Sequence, residues 1–223
     1  MEKKKIFVRP EEMRNAAFRL GAEIYATGFY PDVIYIVLRG GADTGNPISE
    51  FFKWVRMHHD GLHRADPSHP KLRRVLFAAV TARSYPGAGE EPEQVRVEGW
   101  TYHPDHLRCD DRILFLDDVY DRGLTLSHLV GVVMDRGIPR SDIKIAVHDY
   151  KQRRYLDPQP LVIPDFWSRQ HVLERPEDDP WIHYLSHELE GLAREEMQEH
   201  IFRNDPKLLE FLFQTRARKP SRT

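Results

Sequence analysis

The chain has 223 residues, enough for one substantial hydrophobic core with an appendage but hardly for two large domains. A content of 40% hydrophobic and 30% charged residues, with a mean hydropathy of −0.60, is the balance of a soluble folded protein and excludes a disordered or membrane-embedded chain. With 33 basic residues against 35 acidic ones the net charge is −2, so no global field draws the chain to nucleic acid or anionic lipid, and an anionic ligand must be recognised locally.

The opening segment "MEKKKIFVRP" is positive but is followed by no apolar run, and no stretch approaches the length of a membrane span; the expected location is the cytoplasm. From Pro10 to Gly28, Met13, Ala17, Leu20 and Ile24 recur at helical spacing and a glycine ends the pattern, predicting an amphipathic helix. The unbroken apolar run from Val33 to Leu38 predicts a strand covered on both faces, as in a parallel sheet. A helix is predicted from about Pro47 to Met57, and "HHDGLHRADPSHP" after it reads as a surface loop. Then come a strand in "RRVLFAAVTARSY", a loop in "PGAGEEPEQ" and a short strand in "VRVEGW". Cys109 is the sole cysteine, which excludes an internal disulfide and a cysteine-based zinc site, and the histidines at 58, 59, 63 and 69 lack the fixed spacing of a metal site.

The most informative stretch is "RILFLDDVYDRGLTL", residues 112–126. Ile113 to Leu116 read as a buried strand, a helix runs from Leu124 to about Arg136, and Gly137 with Pro139 terminates it. "DIKIAVHDYK" supplies the next strand, and strand, helix, strand at these distances is a parallel α/β layout. In such a sheet the ligand crevice lies at the carboxyl ends of the strands, where Arg39, Tyr85, Asp117 and Asp149 are expected to converge. Beyond Lys151 the rhythm is lost; the proline-rich stretch with Trp167 and Trp181 predicts a lobe beside the sheet. Residues 186–215 are helical in pattern, with Asp205 and Pro206 suited to the N-cap and first position of a last helix whose buried side is Leu208, Leu209, Leu212 and Phe213.

Chemically, a turn whose successive N–H groups point inward at a helix N-terminus is an anion cradle. Gly123 permits an unusual backbone angle, and the Thr125 hydroxyl can donate to a phosphate oxygen. No GxxxxGK or GxGxxG pattern is present, which argues against a Walker or dinucleotide site. Carboxylates accept where a vicinal diol donates, so Asp117 and Asp118 beside a phosphate cradle suit a ribose phosphate; a simple strand cap is the plainer alternative.

"ILFLDDVYDRGLT" resembles the ribose-phosphate signature of the type I phosphoribosyltransferases, and further landmarks of their purine (hypoxanthine/xanthine/guanine) branch follow in the same order. "VLRGG" at 37–41 resembles the pyrophosphate loop, "RSY" at 83–85 the start of the mobile loop, "YKQ" at 150–152 the segment with the base-binding lysine, and "PDFW" with "WIHYLSHE" the base-binding hood. The resemblance covers about residues 10–190 and implies an α/β fold: a Rossmann-like parallel sheet flanked by helices, with a small hood lobe and a helical C-terminal extension. The implied division is a core over 1–155, a hood over 156–190 and a helical extension with its tail over 191–223.

The implied activity is transfer of the 5-phosphoribosyl group from phosphoribosyl pyrophosphate to a 6-oxopurine, with Mg2+ as cofactor, no nucleic-acid or membrane partner, and a homodimer or higher homo-oligomer as the assembly. By the same resemblance Arg39, Asp121 and Tyr85 are catalytic, Asp121 lying near N7 of the base. Gly40, Gly41 and Ser84 serve the pyrophosphate side. Arg122, Gly123, Leu124 and Thr125 cradle the 5′-phosphate, and Asp117 and Asp118 hold the ribose hydroxyls and approach the metal. Lys151, Trp181 and Ile182 meet the purine by charge, stacking and backbone contacts. Arg122 stands where the family has threonine, and "WIHYLSHE" is one residue longer than its counterpart and lacks a proline, so the choice among hypoxanthine, guanine and xanthine stays open. A non-catalytic phosphoribosyl-pyrophosphate sensor, or an enzyme for another base, is the alternative.

Overall fold

The computed structural model describes residues 4–85 and 94–217; the side chains of 83–85, 94 and 215–217 fall outside that description. Two compact units are present, one formed by Glu11–Asp179 and a second by Glu2–Pro10 with Pro180–Thr223.

The larger unit is built on β2 (Val33–Leu38), β3 (Leu76–Tyr85), β4 (Gln94–Trp100), β5 (Ile113–Tyr120), β6 (Ile143–Arg153) and β7 (Phe166–Leu173). β1 (Lys5–Val8) belongs to the smaller unit. The sheet order is β4-β3-β2-β5-β6-β7, parallel throughout except for β4, which runs antiparallel to β3. α1 (Pro10–Ala26) and α2 (Ala42–Ala65) pack on one face and α3 (Leu124–Met134) on the other. The central runs are therefore apolar at every position, because alternate residues serve opposite cores. Tyr35, Phe115 and Ile145 meet Leu129 and Val133 of α3, whereas Ile34, Leu114 and Ala146 meet Leu20 and Ile24 of α1 and Phe52 of α2.

Three expectations are corrected. The second helix begins five residues before Pro47 and runs to Ala65, absorbing half of the histidine-rich stretch predicted as a loop. His59 in that helical extension meets the Tyr25 hydroxyl of α1 at 2.6 Å, a tertiary anchor that local pattern does not show. Second, Phe166–Leu173 is not irregular: it adds to β6 in parallel register as the edge strand β7. Third, Leu208 of the last helix is exposed.

The smaller unit pairs β1 with β8 (Trp181–Tyr184) in parallel, Lys5 opposite Trp181. Its core joins Leu192 and Met197 of α4 (Arg194–His200) to Leu209 of α5 (Pro206–Ala217), with Phe7 and Phe213 against them. The Asp205 carboxylate accepts from the Leu208 amide at 3.0 Å and Pro206 opens α5, as the cap signals predict. No described helix is long and apolar enough to cross a membrane.

Candidate active site

The acidic pair lies inside β5, not beyond it, since pairing with β6 continues through Val119 opposite Asp149 and Tyr120 opposite Tyr150. Asp118 is buried at 8% exposure and Asp117 is half-buried. Asp117 Oδ1 accepts from the Asp118 amide at 3.0 Å, and Asp118 Oδ1 from the Val119 amide at 2.8 Å. Burial, and next the neighbouring Asp118 charge, push the Asp117 carboxyl well above the ordinary carboxylate range.

Past Tyr120 the chain turns through Asp121 and Arg122, both exposed, to Gly123, whose φ of 73° is left-handed. A Cβ at Gly123 would fall on the Tyr120 hydroxyl, which donates to the Val162 carbonyl. Gly123 is the N-cap of α3; it supplies no side-chain cap, and the first turn holds no acidic residue. The first amides of a helix have no partner inside it, and the first turn of α3 brings neither a side-chain cap nor a carboxylate of its own. A cavity of about 100 Å³ opens there, lined by Asp117, Val119, Asp121, Gly123, Thr125 and their neighbours, Arg122 and Leu124 among them.

The RGG segment abuts this site. The Leu38–Arg39 peptide is cis, Arg39 is exposed, and Gly41 leads into α2. A Cβ on Gly40 would sit within the Asp118 carboxylate, and one on Gly41 would come 2.5 Å from the Val37 carbonyl oxygen and 2.6 Å from that of Leu116. Both glycines are thus required for the loop to close onto β5. The backbone of Ser84 and Tyr85 completes β3, while their side chains and residues 86–93 lie outside the described residues.

At the end of β6, Lys151 Nζ is 2.9 Å from Asp179 Oδ1 and 3.6 Å from Asp121 Oδ1. Asp149, expected at the crevice, instead has no exposure at all. Its carboxylate is met by His148 Nδ1 at 2.7 Å, His171 Nε2 at 2.6 Å, and Arg169 Nε and an Arg169 terminal nitrogen at 2.8 and 2.9 Å. Burial alone would raise the Asp149 carboxyl, but these hydrogen bonds outweigh it and hold it far below its ordinary value. It is a structural tie between β6 and β7.

Trp181 and Ile182 lie in the smaller unit. Trp181 is 48% exposed and stacks on His183 at 5.7 Å and 29°, leaving an open indole face as a platform. The Trp181 amide donates to Lys4 O and the Leu185 amide to Val8 O, so the period-2 ladder turns the amide and carbonyl of Ile182 away from β1.

No family model matches the sequence, and no curated protein sequence matches it either. Solved structures do. A purine phosphoribosyltransferase from Pyrococcus horikoshii superposes with a TM-score of 0.58 at 21% identity, over 85% of this chain and 99% of that one. A hypothetical protein from Neisseria gonorrhoeae with bound ppGpp gives 0.60 at 18% identity, over 95% and 98%. The xanthine-guanine-hypoxanthine phosphoribosyltransferase of Helicobacter pylori gives 0.51 at 15% identity, over 83% and 93%. The chain has the type I phosphoribosyltransferase fold. In that fold the acidic pair, the glycine turn and the RGG loop occupy the carboxyl side of the parallel sheet, where open α/β sheets place their ligands. Arg153, which pairs with both Asp121 and Asp179, carries no local signal in the sequence, because no spacing rule marks an arginine two residues after a lysine.

Proposed function

We propose that this protein transfers the 5-phosphoribosyl group of phosphoribosyl pyrophosphate to a 6-oxopurine. One observation carries the reading: a small cavity lined by Asp117, the Asp121–Gly123 turn and the uncapped N-terminus of α3 lies next to Asp118, against which the glycine loop closes. The N–H groups of Gly123 to Leu126 and the Thr125 hydroxyl would hold the 5′-phosphate, and Arg122 adds a cation at its rim. Asp117 and Asp118 would accept from the ribose hydroxyls. Arg39 and the backbone of Gly40 and Gly41 would hold the departing pyrophosphate.

Among the described residues no group of three or more histidine, cysteine or carboxylate side chains could cage a metal. Mg2+ takes one or two carboxylates and completes its octahedron with water and substrate oxygens, and Asp117 and Asp118 are the carboxylates that would hold it. Bound there, Mg2+ would neutralise charge gathering on the pyrophosphate oxygens. On the base, Lys151 would donate to the 6-oxo group and Asp121 would accept the proton at N7, while for Trp181 and Ile182 of the smaller unit the sequence resemblance alone supports a stacking face and backbone contacts. The test is incubation of the cosubstrate with hypoxanthine, guanine, xanthine, adenine, uracil and orotate separately. A nucleotide and pyrophosphate are expected from a 6-oxopurine, and turnover of adenine or orotate alone would overturn the assignment.

A second reading is favoured by the ppGpp carried by the Neisseria structure: a guanosine polyphosphate occupying the same cradle, as regulator or as sole ligand. Competition between ppGpp and phosphoribosyl pyrophosphate, measured with and without a base, separates the two.

A further inference from the structure

Arg153 sits two positions beyond Lys151 on β6 and is 7% exposed. One of its terminal nitrogens, Nη2, donates to Asp179 Oδ2 at 2.6 Å and also pairs with Asp121 Oδ1, while Nε donates to the Tyr155 hydroxyl at 2.9 Å. The other, Nη1, is buried with no hydrogen-bond partner among the described residues. Lys151 reaches the same two carboxylates, so two cations and two anions alternate in a charge-balanced ring. The two cations differ in kind. The guanidinium is a rigid fork that always stays charged, and here it is walled in with donors to spare; the ammonium is a compact point charge on a flexible stem.

We infer that Arg153 is a positioning residue, a permanent counter-ion that satisfies Asp121 and Asp179 so that the Lys151 ammonium remains exchangeable to an incoming ligand oxygen. This rests on the proposed function. Without Arg153, one ammonium would face two carboxylates, Asp121 half-exposed and Asp179 largely buried, and their combined attraction would hold Lys151 where it stands. Arg153 would then set the preference for a carbonyl over an amine at the purine 6-position without touching the base.

Arg153→Met and Arg153→Lys test this against the wild type, with circular dichroism confirming that each is folded. In steady-state kinetics Arg153→Met should lose about tenfold in kcat/KM for hypoxanthine, chiefly through KM, the scale of one charge-assisted hydrogen bond. Adenine should suffer much less, and Arg153→Lys should recover part of the preference. Independently of turnover, mass spectrometry of the ligand-free protein reads how fast Lys151 is acylated; the rate should fall several-fold in Arg153→Met. Loss of a mere brace would instead expose Lys151 and speed the reaction, so an unchanged or faster rate in folded Arg153→Met overturns the inference, as do equal kinetic losses with both bases. If the wild type transfers ribose to no base, the proposed function fails while the acylation comparison still decides what Arg153 does.

Discussion

Replacing Gly123 with alanine perturbs the phosphate turn at a point where two separable costs arise. At φ 73° a residue with a Cβ is strained, a cost of roughly 1–2 kcal/mol. The new methyl would also land on the Tyr120 hydroxyl, forcing it off the Val162 carbonyl, and a displaced hydrogen bond costs roughly 1 kcal/mol. Together they predict a loss of about 2–3 kcal/mol, which for a chain of this size lowers Tm by roughly 5–10 °C. The components part in a double-mutant cycle followed by urea or thermal melts. In a Tyr120→Ala background both the hydroxyl and the ring carbons that the methyl would strike are gone, so Gly123→Ala should cost only the backbone portion, and a coupling of about 1 kcal/mol should remain. Binding of phosphoribosyl pyrophosphate should weaken in Gly123→Ala in either background, because the α3 amides are re-aimed. A Gly123→Ala protein with wild-type Tm, or a cycle additive to within about 0.3 kcal/mol, would refute the account of this turn.

Further outcomes are expected at the neighbouring groups. Asp117→Asn with Asp118→Asn should abolish Mg2+-dependent binding of phosphoribosyl pyrophosphate in titration calorimetry, and retained Mg2+ dependence would remove the pair from the metal and the diol. Lys151→Met should shrink the ratio of hypoxanthine to adenine efficiency, the missing bond being worth roughly 1.5–3 kcal/mol, whereas Trp181→Ala should weaken all purines alike because stacking does not read the ring edge. Asp149→Asn should destabilise the fold by about 3–5 kcal/mol in urea melts, since it leaves Arg169 without its buried carboxylate. The Asp149 carboxyl is depressed in the folded state, so its contribution is fully present above its unfolded value of about 4 and is lost only as pH falls through the much lower folded value. The gap between wild type and Asp149→Asn should accordingly close only as pH falls below about 4.

The sequence by itself determined the elements whose signal is local. β2 and β5 announce themselves as unbroken apolar runs because both of their faces are covered, β6 is apolar through Ile145 to Val147, and α1 and α5 carry their own start or stop signals. The acidic pair followed by a glycine turn was equally legible, since its chemistry is written in consecutive residues. Only the tertiary structure decided the rest. β1 and β8 are four residues each, too short for any periodicity, and they exist as strands because their backbones satisfy one another across more than 170 positions. β7 reads as irregular until β6 offers it a ladder, and Asp149 reads as a crevice residue until His148, Arg169 and His171 close around it. Arg153 looks like an ordinary basic residue, and the hold it shares with Lys151 on Asp121 and Asp179 appears only when three separate segments of chain meet. Local pattern reports which face of a segment avoids water, whereas the partner of a buried charge is fixed by geometry, because Coulomb attraction in a poorly solvated interior depends on distances that sequence separation does not encode.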